Sequence, residues 1–148
     1  MELASSYSPA RIGRIPSTGD LLLVWNQLSR EEIRKGFRRS RLSCAVSRDE
    51  GKSWEHFKNL EAIADLAETD YVPPDPDLSP VCANEELGLL PEDFASFHYP
   101  RLAFLGKVVF VSYLTHRFAM STDADSMPVA RSVSGSRLRI LPVDWFYG

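Results

Sequence analysis

Residues 47–54 read Ser-Arg-Asp-Glu-Gly-Lys-Ser-Trp, and this stretch predicts a tight turn between two antiparallel strands. Ser47 and Asp49 have short polar side chains that can hydrogen-bond to neighbouring backbone and hold such a turn. Gly51 supplies a backbone angle that a Cβ would penalise. Trp54 offers a large apolar surface with which the turn can pack on the sheet behind it.

Strand-like segments separated by turn formers lie on both sides of this turn. Residues 8–15 predict a short strand, and the continuous apolar run 21–25 predicts a strand that is buried on both faces. Residues 42–48 and 55–60 predict the two strands that flank the turn, whereas 26–38 predict a long loop or a short helix. Four successive antiparallel strands over roughly 40–45 residues are typical of one propeller blade.

Residues 61–96 interrupt this rhythm. The part from Glu61 to Asp93 contains ten acidic residues, no Lys or Arg, and five of the ten prolines. Prolines at 73, 74 and 76 exclude a central strand or a helix interior there. We therefore predict a long surface insertion, which is either simply solvated or a surface for a partner.

The strand pattern then restarts, with strands predicted at 98–105, 108–113 and 137–141 and a loop at 115–135. The stretch 99–111 echoes 8–25, and such an internal repeat is typical of propellers. The fold class predicted is all-β: a partial β-propeller of about two blades with a long loop insertion. Blade one covers about 8–60, the insertion about 61–96 and blade two about 97–148. Residues 121–123 begin like the turn at 47–54 but lack its glycine and tryptophan.

Composition narrows the function classes. The chain is 44% hydrophobic and 25% charged with a net charge of −3, which is ordinary for a soluble domain and argues against a nucleic-acid binder. It has no apolar run long enough to span a membrane and no basic, apolar leader, so the default expectation is the cytoplasm. The histidines and the two cysteines lack metal-ligand spacing, and we predict no cofactor and no metal. Cys44 is expected to be buried in a strand, and a disulfide to Cys82 stays open.

The pattern Ser47-x-Asp49-x-Gly51-x-x-Trp54 is the Asp-box, or bacterial neuraminidase repeat, and the chain resembles the C-terminal part of an Asp-box sialidase. The resemblance runs over most of the length, and its matching pieces are 8–10, 14–22, 39–42, 54–61, 99–100 and the tail. It implies a six-bladed propeller that hydrolyses terminal α-linked sialic acid. Such enzymes use three arginines on the substrate carboxylate, a tyrosine nucleophile paired with a glutamate, and an aspartate acid/base.

The resemblance carries two catalytic residues onto this chain. Arg39 matches the third arginine, which starts the strand before a late Asp-box and is followed three positions on by a leucine, here Leu42. Tyr99 matches the nucleophile that opens the next blade. An arginine binds a carboxylate through a planar fork, and a neutral tyrosine can approach an anomeric carbon that carries a carboxylate. A slipped register would make Arg38 or Arg41 the match, and a solvated loop or a packing tyrosine are the simpler interpretations.

The remaining catalytic residues have no match in this sequence. Arg14-Ile15-Pro16 is similar to the R-I-P motif of sialidases but precedes the wrong blade, so Arg14 is not assigned. We therefore expect an exo-α-sialidase-like segment that is inactive as an isolated chain. The alternative is a structural or carbohydrate-binding homo-oligomer, in which three two-blade copies close a ring and residues 1–7 add a strand to a neighbour. A truncated product without a stable fold is a third reading. The partners expected are missing blades, further copies or a sialic acid-type carbohydrate.

Overall fold

The structure, a computed structural model, describes residues 2–63, 66–89, 91, 94–121 and 129–148. Within these residues the chain is mostly β, with seven strands in two antiparallel sheets whose strands follow chain order. The first sheet contains β1 Arg11–Arg14, β2 Leu21–Trp25, β3 Arg41–Ser47 and β4 Glu55–Ala62. The second contains β5 Ala95–Leu105, β6 Val108–Ser121 and β7 Val129–Pro142. Three short helical elements accompany them: α1 Arg30–Arg34, α2 Pro80–Glu85 and a 3₁₀ helix Val143–Phe146.

The two sheets pack on each other around one shared core. Alternate residues of each strand point to this core, because successive side chains of a strand face opposite sides. The first sheet contributes residues such as Leu22 and Leu42, and the second contributes Val109 and Val111, all fully buried. Phe146 of the 3₁₀ helix is also fully buried in this core, so the C-terminal segment belongs to it.

The opposite side of the first sheet, its outer face, is covered by the chain itself. Leu23, Trp25 and Ala45 are buried there under partly buried side chains that include Phe57. The Trp25 indole donates to the carbonyl of Ala4 over 2.9 Å, which ties the N-terminal segment to this face. The prediction that strand 21–25 is buried on both faces is confirmed.

The insertion contributes to this cover. Gln27, which is 1% exposed, donates to the carbonyl of Asp70 over 2.8 Å and accepts from the N–H of Val72 over 2.9 Å. Val72 itself is buried, and the ring of Tyr71 packs on Phe57 at 4.6 Å. The insertion is therefore not simply solvated, since part of it shields the first sheet.

The outer face of the second sheet is exposed instead. Strand register places Phe110 opposite Ile140 and Ser112 opposite Leu138, on the side away from the shared core. Leu138 is 58% and Ile140 59% exposed, and Leu105 on the same face is 71% exposed. The two sheets thus differ: one outer face is covered and the other presents apolar side chains to solvent.

The predicted turn between β3 and β4 is present. The Ser47 hydroxyl accepts from the N–H of Gly51 over 2.8 Å, and Asp49 accepts from both the N–H and the hydroxyl of Ser53. Hydrogen bonds from Ser53, its hydroxyl first, hold the pKa of Asp49 down at about 2. Gly51 has φ +83°, and Trp54 packs against the outer face of the first sheet. The motif therefore shapes a hairpin of the first sheet.

Three sequence-based boundaries change. The loop predicted at 115–135 is wrong at both ends, because 115–121 and 129–135 are paired strands that extend β6 and β7 into a ribbon. The sequence concealed it, since polar residues interrupt any regular alternation of apolar residues over 115–121 and 129–135. Residues 122–128 lie outside the described part, and so does most of the motif at 121–123. The first strand is shorter than predicted, and the insertion narrows to 63–94 because β4 and β5 extend into it.

Residues 26–38, for which loop and helix were both open, contain helix α1. Its start is a capping box: the Ser29 hydroxyl accepts from the N–H of Glu32, and the Glu32 carboxylate accepts from the N–H of Ser29. Both cysteines are free thiols, and burial raises the pKa of Cys44 to about 12. None of the helices in the described ranges is long and apolar enough to cross a membrane.

Candidate functional site

The candidate site lies where the residues that precede β3 meet the start of β5. The N–H of Phe97 donates to the carbonyl of Arg39 over 2.8 Å, which joins the two segments directly. The fully buried amide of Asn26 donates to the carbonyls of Arg41 and Phe97, at 2.7 and 3.1 Å. This backbone link brings Arg39 next to the segment that contains Tyr99, although the two residues are far apart in sequence.

The Arg39 guanidinium is held by two hydrogen bonds. It donates to His98 Nδ1 over 3.0 Å and to the carbonyl of Tyr7 over 3.1 Å. Because arginine is only a donor, Nδ1 must be the acceptor and the proton of His98 lies on Nε2, 2.5 Å from the Ser96 hydroxyl. Burial, and then the charges of Arg39 and His116, lower the pKa of His98, which favours this neutral form.

Tyr99 lies beside this guanidinium. The Arg39 Cζ is 5.9 Å from the centroid of the Tyr99 ring, and the side chain is 53% exposed. Tyr99 has φ +53° at a register shift between His98 and Arg101. A bulky residue in this left-handed region is strained, and such strain concentrates at functional sites. The bulge therefore leaves Tyr99 of β5 outside the regular pairing with β6, with its side chain half exposed beside Arg39.

The alternative arginines have other environments. Arg41 is 3% exposed in its side chain and forms a 2.8 Å ion pair with Glu32, itself 6% exposed. It also donates to the carbonyl of Thr69, so it links the first sheet, α1 and the insertion. Arg38 is exposed on the surface next to Arg39. Of the three candidates, only Arg39 contacts Tyr99.

Arg14 lies away from this site. It forms a bidentate pair with Glu50 at 2.9 and 2.7 Å and donates to the carbonyl of Gly19. The pair is exposed and connects β1 to the turn at 47–54. Ser47, Asp49, Gly51 and Trp54 lie in that same turn, so this motif does not contribute side chains to the arginine–tyrosine pair.

The Arg39 guanidinium has no acidic counter-ion among the described residues. Within the described residues, no carboxylate forms an ion pair with Arg39, and none contacts the Tyr99 hydroxyl. Two hydrogen bonds occupy two of the five guanidinium donors, which leaves donors for a ligand anion. The glutamate partner and acid/base aspartate of a complete sialidase site are thus not found in this part of the chain, and its side chains hold no group of three metal ligands.

Sequence reasoning missed His98 and Asn26. His98, like the other histidines, was expected to have a structural or surface role, although its position immediately before Tyr99 was a signal that it shares the same bulge. Asn26 began a segment for which loop and short helix were both open, and a polar residue directly after a doubly buried strand was the available signal for a buried amide. Both residues position Arg39 and β5 relative to each other.

Comparison with known proteins yields no relative. No protein-family model, no curated protein and no solved structure matches this chain.

Proposed function

We propose that this chain forms part of a sialidase-type glycosidase site on two blades of a propeller, in which Arg39 binds a carboxylate and Tyr99 is the nucleophile. The observation that supports it is the contact between Arg39 and Tyr99. These residues were chosen from sequence resemblance and lie far apart in the chain. The sheet order supports the assignment of two blades. A four-stranded and a three-stranded antiparallel meander pack face to face, as neighbouring blades do.

The chemistry of the pair agrees with this role. A guanidinium oriented by His98 and the Tyr7 carbonyl needs no rearrangement to receive a planar carboxylate. The exposed phenol of Tyr99 lies on the same side of the chain as the guanidinium face that covers it. A glycosidase also needs a general acid, and within the described residues none is found beside Tyr99, so we expect the anion to bind without turnover.

The test is a titration with N-acetylneuraminate, in which binding is detected by NMR shifts of the Arg39 side chain and of the His98–Tyr99 backbone. With one guanidinium supplying the charge, we expect weak binding with a Kd of roughly 1 mM or above. Arg39→Ala should abolish the shifts. Arg14→Ala is the matched control, because it removes an exposed arginine already paired with Glu50, and it should leave binding unchanged. The methyl ester of the sugar, which lacks the carboxylate charge, should not bind.

Hydrolysis provides the second readout. We expect the isolated chain not to cleave a fluorogenic sialoside, because no acid reaches the Tyr99 hydroxyl in the described residues. If the chain does cleave the sialoside and Tyr99→Phe abolishes this turnover, the expected inactivity is wrong but the role of Tyr99 as nucleophile stands. Sugar binding that survives Arg39→Ala would remove the proposed function altogether.

A second candidate function is self-association, and the exposed outer face of the second sheet favours it. Leu105, Leu138 and Ile140 are each more than half exposed, which is unusual for a cluster on one sheet face. In a ring of three copies, this face would pack on the outer face of a neighbour's first sheet. That face is already covered by residues near Ala4 and Val72, so a two-fold pairing of second sheets fits better.

Light scattering over a range of protein concentrations tests this pairing. We expect a dimer that becomes monomeric in Leu138→Glu, because a buried carboxylate would be left unpaired in the interface. Leu89→Glu, at a residue 93% exposed in the insertion, is the control and should stay dimeric. A monomer at every concentration excludes the pairing.

A further inference from the structure

A cavity of about 620 Å³ lies between α1, the N-terminal segment and the insertion. This volume is within the range of small-molecule sites, roughly 300–1,000 Å³. Its apolar lining includes Leu28, Ile33, Phe37, Leu78 and Leu87. Ile33 and Phe37 are 2% and 4% exposed, so the floor is part of the folded body of the protein. Tyr99 is not among the lining residues, which separates this cavity from the phenol.

The wall that the insertion supplies is fastened to α1. Glu86 lies 2.9 Å from Arg34 and 3.5 Å from Arg30, and Asp75 lies 3.3 Å from Arg30. The backbones also touch: a Cβ on Gly88 would lie 2.0 Å from the carbonyl oxygen of Arg34. Only glycine permits this approach, so the wall of the cavity is held by close backbone contact as well as by charge.

The charges around the cavity are not balanced. Six basic residues lie between positions 30 and 41, and four of them pair with acids: Arg30 with Asp75 and Glu86, Arg34 with Glu86, Lys35 with Glu31, and Arg41 with Glu32. Within the described part of the chain, Arg38 and Arg39 have no such partner. These two are also the arginines that line the cavity. The positive charge without an acidic partner is therefore concentrated in the lining of this cavity.

We propose that this cavity binds an organic carboxylate with an apolar body of medium-chain acyl size. The carboxylate is received by Arg38 and Arg39, and the hydrocarbon lies on Ile33, Phe37 and the leucines. Each half of the ligand is matched by part of the lining. Two adjacent arginines without acidic partners receive the carboxylate, and half of the fourteen lining residues have apolar side chains for the hydrocarbon.

This inference goes beyond the proposed glycosidase site, although Arg39 borders both. Both sites draw on the N–H donors of Arg39 that His98 and the Tyr7 carbonyl leave free. The cavity uses Arg38 in addition and is enclosed by α2, where Ala83 is among the lining residues. Substitutions in α2 therefore change the cavity without touching Tyr99 or His98.

Calorimetric titration with decanoate is the test. We expect saturable one-to-one binding, with decanol weaker by about tenfold or more because it lacks the charge-assisted hydrogen bonds. Acetate, which has the charge without the body, should not bind. Decanol binding as tightly as decanoate would overturn the proposal, and so would acetate binding as tightly as decanoate.

Ala83→Trp is the decisive variant, because an indole at this position fills the cavity. We expect it to abolish decanoate binding, and Arg38→Gln to weaken binding by about tenfold. Val81→Trp is the matched control, since Val81 lies on the same helix, is 64% exposed and does not line the cavity. Thermal melts of all three variants verify folding. Decanoate binding that survives Ala83→Trp overturns the proposal.

The two proposals fail separately in this design. If the cavity proposal alone is wrong, N-acetylneuraminate still shifts Arg39 and His98 while decanoate does not bind. If the glycosidase proposal alone is wrong, decanoate binds to the parent protein and not to Ala83→Trp, while N-acetylneuraminate causes no NMR shifts. In the Ala83→Trp variant itself, sugar binding should be retained.

Discussion

Glu32→Gln is expected to lower the free energy of unfolding by about 3–5 kcal/mol. Glu32 and Arg41 form an ion pair in which both side chains are almost completely buried, at 6% and 3% exposure. Glutamine keeps the size of the side chain and an oxygen for the Ser29 N–H, but it leaves the Arg41 charge buried without a counter-ion. An uncompensated buried charge costs far more than a lost surface pair.

Urea unfolding monitored by tryptophan fluorescence measures this loss. Glu31→Gln is the control on the same helix, because the Glu31 side chain is 77% exposed and forms a surface ion pair with Lys35. That change should alter stability by about 0.5 kcal/mol or less. Equal losses in the two variants would show that the buried pair has no special role in joining α1 to the first sheet.

Phe146→Ala is expected to destabilise the protein by about 3–5 kcal/mol. Phe146 is fully buried in the core that the two sheets share, and its ring packs edge-on against Trp145 at 5.1 Å. Removing the ring leaves a cavity between the sheets, because neither sheet can collapse into it without losing contact with the other. The C-terminal 3₁₀ helix would thereby lose its main anchor.

The shape of the unfolding curve tests the same point. We expect a single cooperative transition in the parent protein and in Phe146→Ala, since the sheets share one core. Leu105→Ala, at a residue 71% exposed on the outer face of the second sheet, should cost about 0.5 kcal/mol or less. Two separate transitions in the parent protein would show that the sheets are independent units.

The sequence predicted the parts of the fold that rest on local pattern. The hairpin at 47–54 and strand 21–25 follow from turn chemistry and from an unbroken apolar run, and both are present. The ribbon formed by 115–121 and 129–135 was missed, because its pairing depends on cross-strand hydrogen bonds and leaves no apolar periodicity. Strand ends moved for the same reason, since pairing continued past the apolar residues.

The candidate site was predictable only in part. Arg39 and Tyr99 came from resemblance, and their proximity in space depends on the bond between Phe97 and the Arg39 carbonyl, which no local pattern reveals. The left-handed backbone of Tyr99 was likewise unpredictable, because tyrosine rarely adopts it. Pairing of the acidic insertion with Arg30 and Arg34 needed the tertiary structure, since both partners look like solvated charges in sequence.

The unequal cover of the two outer faces has a consequence for assembly. A row of stacked sheets that is sealed at one end by its own N-terminal segment and insertion can be extended only from the other end. The first sheet then terminates the row in the way that an end repeat closes a solenoid, while the second sheet is where a further layer would be added. Two copies joined through their second sheets would therefore form a closed assembly with a covered sheet at each end.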